Sequence, residues 1–328
     1  MARKPRHNAP GHVHHVMARS IKELSLFEDN QDRRVFTGLL RARLKKTKYR
    51  LLNASLQHKH YHLTILASER PLADLLRPVN SQYAKYYNKK YDRRGTLFDG
   101  RPKSIVVQTS QYITKLICYV CLNSLRHREL HSMAELDRYR WCGHAALMGY
   151  PCEFDFMDTE LVLKWFGDTV EQARANYLTV LQKDLHERPQ THVLELIRRA
   201  NREVSHYDDP SCTVIGDEQF TREVVRQDHE NQMRLSELKR RGWSLDTLAG
   251  HVGQRMDVDS GQLRRRCGRG ALGRARQAFA YTGYRMMGVS QVKIGKYLGI
   301  TAAAVSSLVA KGEAVAQAHR VTDIPVQG

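Results

Sequence analysis

Between His60 and Leu66 polar and apolar residues alternate without a break, with Tyr61, Leu63 and Ile65 of one parity and His60, His62 and Thr64 of the other. A period of two cannot be buried by a helix. It puts three apolar side chains on one face of a strand, so this stretch commits the chain to a sheet with a covered side. Around it the pattern predicts strands over residues 12–18, 50–56 and 104–107, and helices over 29–46, 71–91 and 110–125. The resulting order, β-α-β-β-α-β-α, implies an α+β domain with an antiparallel-leaning sheet.

From Pro151 the texture changes. Residues 158–166, 169–182, 191–203 and 219–241 read as helices with no convincing strand among them, and Gly242 opens a compact helical block that ends near Gly312. At ~100–200 residues per domain, 328 residues suit two domains and a connector. The expected divisions are 1–150, a helical connector over 151–241, a helical domain over 242–315 and a loose tail over 316–328.

Lysine and arginine number 53 against 34 acidic residues, a formal charge of +19 with an isoelectric point near 9.8. Such an excess calls for a polyanionic partner, because each phosphate neutralised releases condensed counterions. Nucleic acid is the expected partner. No run approaches the ~20 apolar residues of a membrane span, and no apolar segment follows the basic opening, so a cytoplasmic protein with no membrane partner is expected; the oligomeric state is left open, with a monomer favoured. The six cysteines lack the spacing of a disulfide framework, and Cys118-x-x-Cys121 reads as two thiols on a packed helix or as half of a zinc site.

The two strand histidines, His60 and His62, can chelate one divalent ion or can be half-exposed strand residues. A helix nearby bears on that choice. Ile113, Leu116, Ile117 and Val120 make a buried stripe, while Tyr112, Lys115, Tyr119 and Asn123 fall on another face. Tyr119 and Asn123 lie one turn apart, so a phenol nucleophile can stand beside an amide oxygen. Two nitrogens and a hard oxygen suit Mg2+ or Mn2+. The other reading is a surface tyrosine and a helix-end asparagine. His12 and His14 share the His-x-His spacing but read as structural.

Here the residues resemble a known family. His60-Tyr61-His62-Leu63 looks like the HUH motif, and Cys118-Tyr119-Val120-Cys121-Leu122-Asn123-Ser124-Leu125-Arg126 looks like the tyrosine box of the REP-associated tyrosine transposases. The likeness extends over about the first 150 residues, through Gly11 to Arg19, Phe27-Glu28-Asp29 with Asp32-Arg33, Asn80 to Asn88, Gly95 to Phe98 and Trp141 to Gly149. The resemblance implies a ferredoxin-like HUH domain in which His60, His62 and Asn123 hold the metal on a scissile phosphate of single-stranded, hairpin-bearing DNA. It implies that Tyr119 attacks the phosphorus, leaving a 5′-phosphotyrosine and a free 3′-hydroxyl for strand transfer. Ser124 stands where the family has proline, and Gln57-His58-Lys59 where Met-Pro-Asn is common, departures that suit a catalytically weakened, DNA-binding regulator as the alternative.

Tyr83, Tyr86, Tyr87 and Tyr91 interleave with Lys85, Lys89, Lys90, Arg93 and Arg94. The cations are expected to track phosphates; Tyr83 and Tyr87 read equally as core or as base contacts. From Ser290 to Gly312 the pattern is helix, turn, helix, with Val292, Ile294, Leu298, Val305 and Leu308 inward. Ala302, Ala303, Ser306, Ser307 and Lys311 are left for a groove. The block from Leu245, with Arg264, Arg265, Arg266 and Arg269, is similar to the C-terminal DNA-binding domain of the bacterial replication initiator, which implies a helix-turn-helix on duplex DNA. Its small side chains offer few bidentate base contacts.

Overall fold

The computed structural model describes residues 10–68, 70–109, 112–186, 213–265 and 270–324. It divides into two units after Arg226. The first is α+β, built on a five-stranded mixed sheet. Its strands are β1 (Val13–Arg19), β2 (Arg50–Leu56), β3 (His60–Leu66), β4 (Lys103–Val107) and β5 (Val214–Ile215), in the order β2-β3-β1-β4-β5. All neighbours are antiparallel except β4 and β5.

Alternation on β3 sends Tyr61, Leu63 and Ile65 towards two helices, α1 (Asn30–Thr47) and α2 (Leu72–Lys90). Phe36 of α1 packs on Tyr61 and on Tyr83 of α2, with ring centroids 4.9 and 5.4 Å apart. Asp29 starts α1 through a capping box with Asp32, and Lys48 ends it in the left-handed region at φ 58°. Tyr83 and Tyr87 both lie in this core, which settles the choice left open between core and base contact.

The opposite face is also covered. The helix α3 (Ile113–Arg126) lies on it, backed by α7 (Val170–His186), with short helices α4 (Met133–Arg138), α5 (Gly143–Met148) and α6 (Thr159–Leu163) between them in sequence. Cys118 and Cys121 are buried on α3 as free thiols. Residues 151–186 therefore do not form a separate connector, since Phe154, Val162, Phe166, Tyr177 and Leu181 belong to the same core. The strand β5 was not expected from the sequence. It has two residues, too short for alternation to show, and β4 holds it through Val106 N–H to Thr213 O at 2.9 Å and Gln108 N–H to Ile215 O at 2.8 Å. The predicted helix at 191–203 lies outside the described residues.

Helix α8 (Glu218–Arg240) spans the division. The second unit continues with α9 (Leu245–Met256), a 3-10 turn (Ser260–Arg264), α10 (Gly270–Arg285), α11 (Gln291–Leu298) and α12 (Ala302–Ala318). Leu248, Val252, Phe279, Ile294, Leu298, Val305 and Val309 form its core. Two expectations are corrected here. Val292 is exposed rather than inward, because Ile294, Gly295 and Leu298 carry the buried side of α11. The tail is not loose: α12 runs to Ala318, and Val321 and Ile324 are buried in the unit's core. Among the described residues, no single helix is long and apolar enough to cross a membrane.

Candidate active site

Strand register decides which polar groups meet on the α3 side of the sheet. Opposite His60, His62 and Thr64 of β3 stand Arg19, Met17 and His15 of β1 respectively, so all six share one face. On the other side of β3, Ser55 opposes His62 and Asn53 opposes Thr64. This face is polar yet covered. Asn53 reaches α3 by donating to Ile117 O at 3.0 Å, and the hydroxyls of Ser55 and Ser124 lie 3.4 Å apart. The alternation placed both histidines opposite the apolar core, and α3 then buries His62 and half-buries His60.

Tyr119 projects from α3 into the same cluster, 8% exposed, with its ring centroid 6.0 Å from those of both His62 and His15. The Arg126 guanidinium lies 5.6 Å from the centre of the Tyr119 ring. Asn123, one turn beyond, donates its amide N–H to Tyr119 O at 3.0 Å. His60 has His62 at 5.0 Å on one side and His127, at the end of α3, at 5.0 Å on the other. The structure thus brings His60, His62 and Tyr119 together, with Asn123 one turn along α3 and bonded to the Tyr119 backbone.

His15 is the residue the sequence reading missed. Its Nε2 lies 2.9 Å from Nδ1 of His62, and the two rings are 5.1 Å apart and 18° from parallel. The available signal was parity on the first strand, which separates His15 from His12 and His14. His14 lies on the other face with Nδ1 3.1 Å from Ser104 Oγ, and His12 Nδ1 is 3.0 Å from Pro10 O. His58, at the strand entry, is exposed and paired with Ser25 Oγ at 2.7 Å.

Burial sets the electrostatics. It pushes His15 down to about 4. His60 is pushed to about 4 as well, by burial first and then by His127 and Arg19, and burial also holds His62 well below the ordinary histidine value. All three rings are therefore neutral near pH 7, each with one N–H and one lone pair. Among the described residues no group of three or more His, Cys, Asp and Glu side chains could hold a metal ion. A three-ligand set here needs the Asn123 amide oxygen. Since the Asn123 nitrogen is the bonded end, the donor chemistry of two imidazoles and one amide oxygen fits a hard divalent ion.

The basic segment after Tyr83 divides in two. Lys85, Lys89 and Arg94 are exposed and make no ion pair among the described residues, whereas Arg93 donates to Asn88 Oδ1 at 3.0 Å and lies 5.9 Å from the Tyr87 ring centre. Lys90 is not available to phosphates as the sequence reading expected, because Asp29 and Asp32 hold its ammonium at 2.6 and 2.8 Å. In the second unit Arg264 lies 4.5 Å from the Tyr297 ring centre and 3.0 Å from Asp246, and Arg265, Ser307 and Lys311 are exposed with Ser306 half-buried. Arg266 and Arg269 lie outside the described residues.

No protein-family model matches the chain. No curated protein matches it either. Among solved structures, that of a REP-associated tyrosine transposase bound to a REP hairpin is similar, with a TM-score of 0.39 and 10% sequence identity. The similarity covers 48% of this chain and 93% of that one.

Proposed function

We propose that this chain is a metal-dependent single-stranded DNA endonuclease and strand transferase acting on hairpin-bearing DNA, with Tyr119 as nucleophile. One observation carries the reading: a phenol from a helix and the paired imidazoles of a strand converge on one polar face, the Tyr119 and His62 rings 6.0 Å apart. The sheet order β2-β3-β1-β4, with helices after β1 and β3, agrees with the ferredoxin-like arrangement that the sequence resemblance implies.

His60, His62 and Asn123 would hold Mg2+ or Mn2+, which when bound supplies Lewis-acid polarisation of the scissile phosphate. In the reaction the Tyr119 oxygen forms a bond to phosphorus as the bond from phosphorus to the 3′ oxygen breaks. The phenol loses its proton, and the departing strand takes one to leave as a 3′-hydroxyl. The 5′-phosphotyrosine keeps a phosphodiester's worth of free energy, so an incoming 3′-hydroxyl can reverse the step without ATP. Arg126, its guanidinium over the Tyr119 ring and donating to Asp184 O, adds positive charge beside the nucleophile. Lys85, Lys89 and Arg94 suit the backbone of the bound strand. The second unit suits duplex DNA: Gly299 at φ 67° turns α11 into α12, whose Ser307 and Lys311 are exposed with Ser306 half-buried beside them.

A second reading, a weakened enzyme kept as a DNA-binding regulator, has one observation in its favour: at 8% exposure, Tyr119 meets a strand only if α3 or its surroundings give way. Labelled hairpin-containing single strands incubated with Mg2+ or Mn2+ discriminate the two. Transferase activity yields a protein–DNA adduct that survives denaturation and is lost in Tyr119→Phe. Tight binding with no adduct under either metal supports the regulator.

A further inference from the structure

We infer that His15 is a positioning residue for His62, accepting the Nδ1–H of that ring and so leaving its Nε2 lone pair available. The inference rests on the metal-dependent reading above. It starts from the 2.9 Å contact between His15 Nε2 and His62 Nδ1, made by two side chains that are 1% and 2% exposed.

Two neutral imidazoles joined by one hydrogen bond hold a single proton in it, and which ring donates decides what the other nitrogens can do. If His15 donates, His62 carries its own proton on Nε2 and has no lone pair left for an ion. If His62 donates, its Nε2 is unprotonated, and His15 carries its proton on Nδ1. That His15 Nδ1 is buried and has no partner among the described residues, and so is Thr64 Oγ1, which faces it directly in the β1–β3 register. No hydrogen bond joins the two, so this arrangement leaves the His15 Nδ1–H unpaired, a cost that an ion held on Nε2 of His62 would have to offset and that the tautomer measurement below reads directly.

The position of His15 fits such a role. It projects from β1, which is paired on both sides by β3 and β4, so the sheet rather than a loop fixes where its ring sits. Metal-binding histidines usually have their second ring nitrogen hydrogen-bonded in this way, which fixes the tautomer and the ring orientation. His60 makes no such contact among the described residues; its ring meets only His62 and His127 edge-on.

The test uses the full chain in two measurements. Long-range 15N–1H correlation on metal-free protein reads which nitrogen of His62 is protonated, and Nδ1 is expected. Calorimetric titration with MnCl2 then compares wild type with His15→Phe and His15→Gln. His15→Phe is expected to weaken Mn2+ binding about 10–100-fold. His15→Gln, whose carbonyl oxygen can accept the same N–H, is expected to restore most of the loss. A proton on Nε2 of His62, or wild-type Mn2+ affinity in His15→Phe, overturns the inference. If His15→Phe does not fold, the tautomer in wild type decides. Wild type that takes up no Mn2+ would overturn the metal-dependent reading instead, while the tautomer measurement still reports on His15.

Discussion

The ammonium of Lys90 lies 2.8 Å from Oδ1 of Asp32, whose side chain is fully buried at the head of α1. The same carboxylate accepts the Tyr91 hydroxyl at 2.8 Å, the Tyr86 hydroxyl at 3.0 Å and the Glu28 backbone N–H at 2.9 Å. A segment that reads in sequence as a phosphate-binding surface is in part a clasp between the end of α2 and the start of α1.

Loss of that carboxylate would be costly. Asp32→Ala strands two phenol donors and removes the reciprocal half of the capping box, so a loss of about 3 kcal/mol is expected in urea unfolding. Lys89→Ala, one residue from the clasp and exposed, should change stability by no more than about 0.5 kcal/mol. Equal effects of the two would contradict the clasp.

Stability should also fall in mild acid. His15 binds a proton at about 4 when folded and near 6.5 when unfolded, so between those values the unfolded chain takes up a proton that the native state refuses. The contribution is complete above pH 6.5 and disappears as pH drops to 4, amounting to about 3 kcal/mol for this ring. Urea midpoints measured from pH 7.5 to 4.5 test it. A midpoint that stays level over that range would falsify the neutral, buried assignment.

Salt dependence separates the free cations from the committed one. Changing Lys85, Lys89 and Arg94 together to alanine should weaken binding to hairpin-bearing single strands and reduce the slope of log K against log salt by about 2–3. Lys90→Ala should leave the slope unchanged while lowering stability. Fluorescence anisotropy across a salt series reads both.

In the second unit α10 and α12 approach closely at Gly312, where an added Cβ would meet the Gln277 carbonyl and lie 2.7 Å from Tyr281 Cβ. Backbone cannot yield as a side-chain tip can. Gly312→Ala should therefore destabilise that unit by about 1–3 kcal/mol, seen as a lower melting temperature, and an unchanged one would mean that α10 and α12 separate easily.

Much of the first unit was readable from periodicity. The alternation at His60–Leu66 and the apolar stripe from Ile113 to Val120 appear as β3 and α3. What escaped has specific causes. Two-residue β5 is too short to show a period, and α4 and α5, of six residues each, are too short for a helical stripe. His15 escaped because its partner lies 47 residues away, in a strand register no local pattern encodes. Lys90 was misread because charge composition does not reveal which cations already face a carboxylate within the chain.

The histidine pair sits on β1 and β3, two of the three interior strands of this sheet, while β2 and β5 form its borders. Backbone amides in such interior strands exchange with solvent last, through openings close to global unfolding. Fraying at the borders can then proceed without altering the spacing of the imidazoles. The sheet is the fixed gauge against which α3 sets the Tyr119 ring.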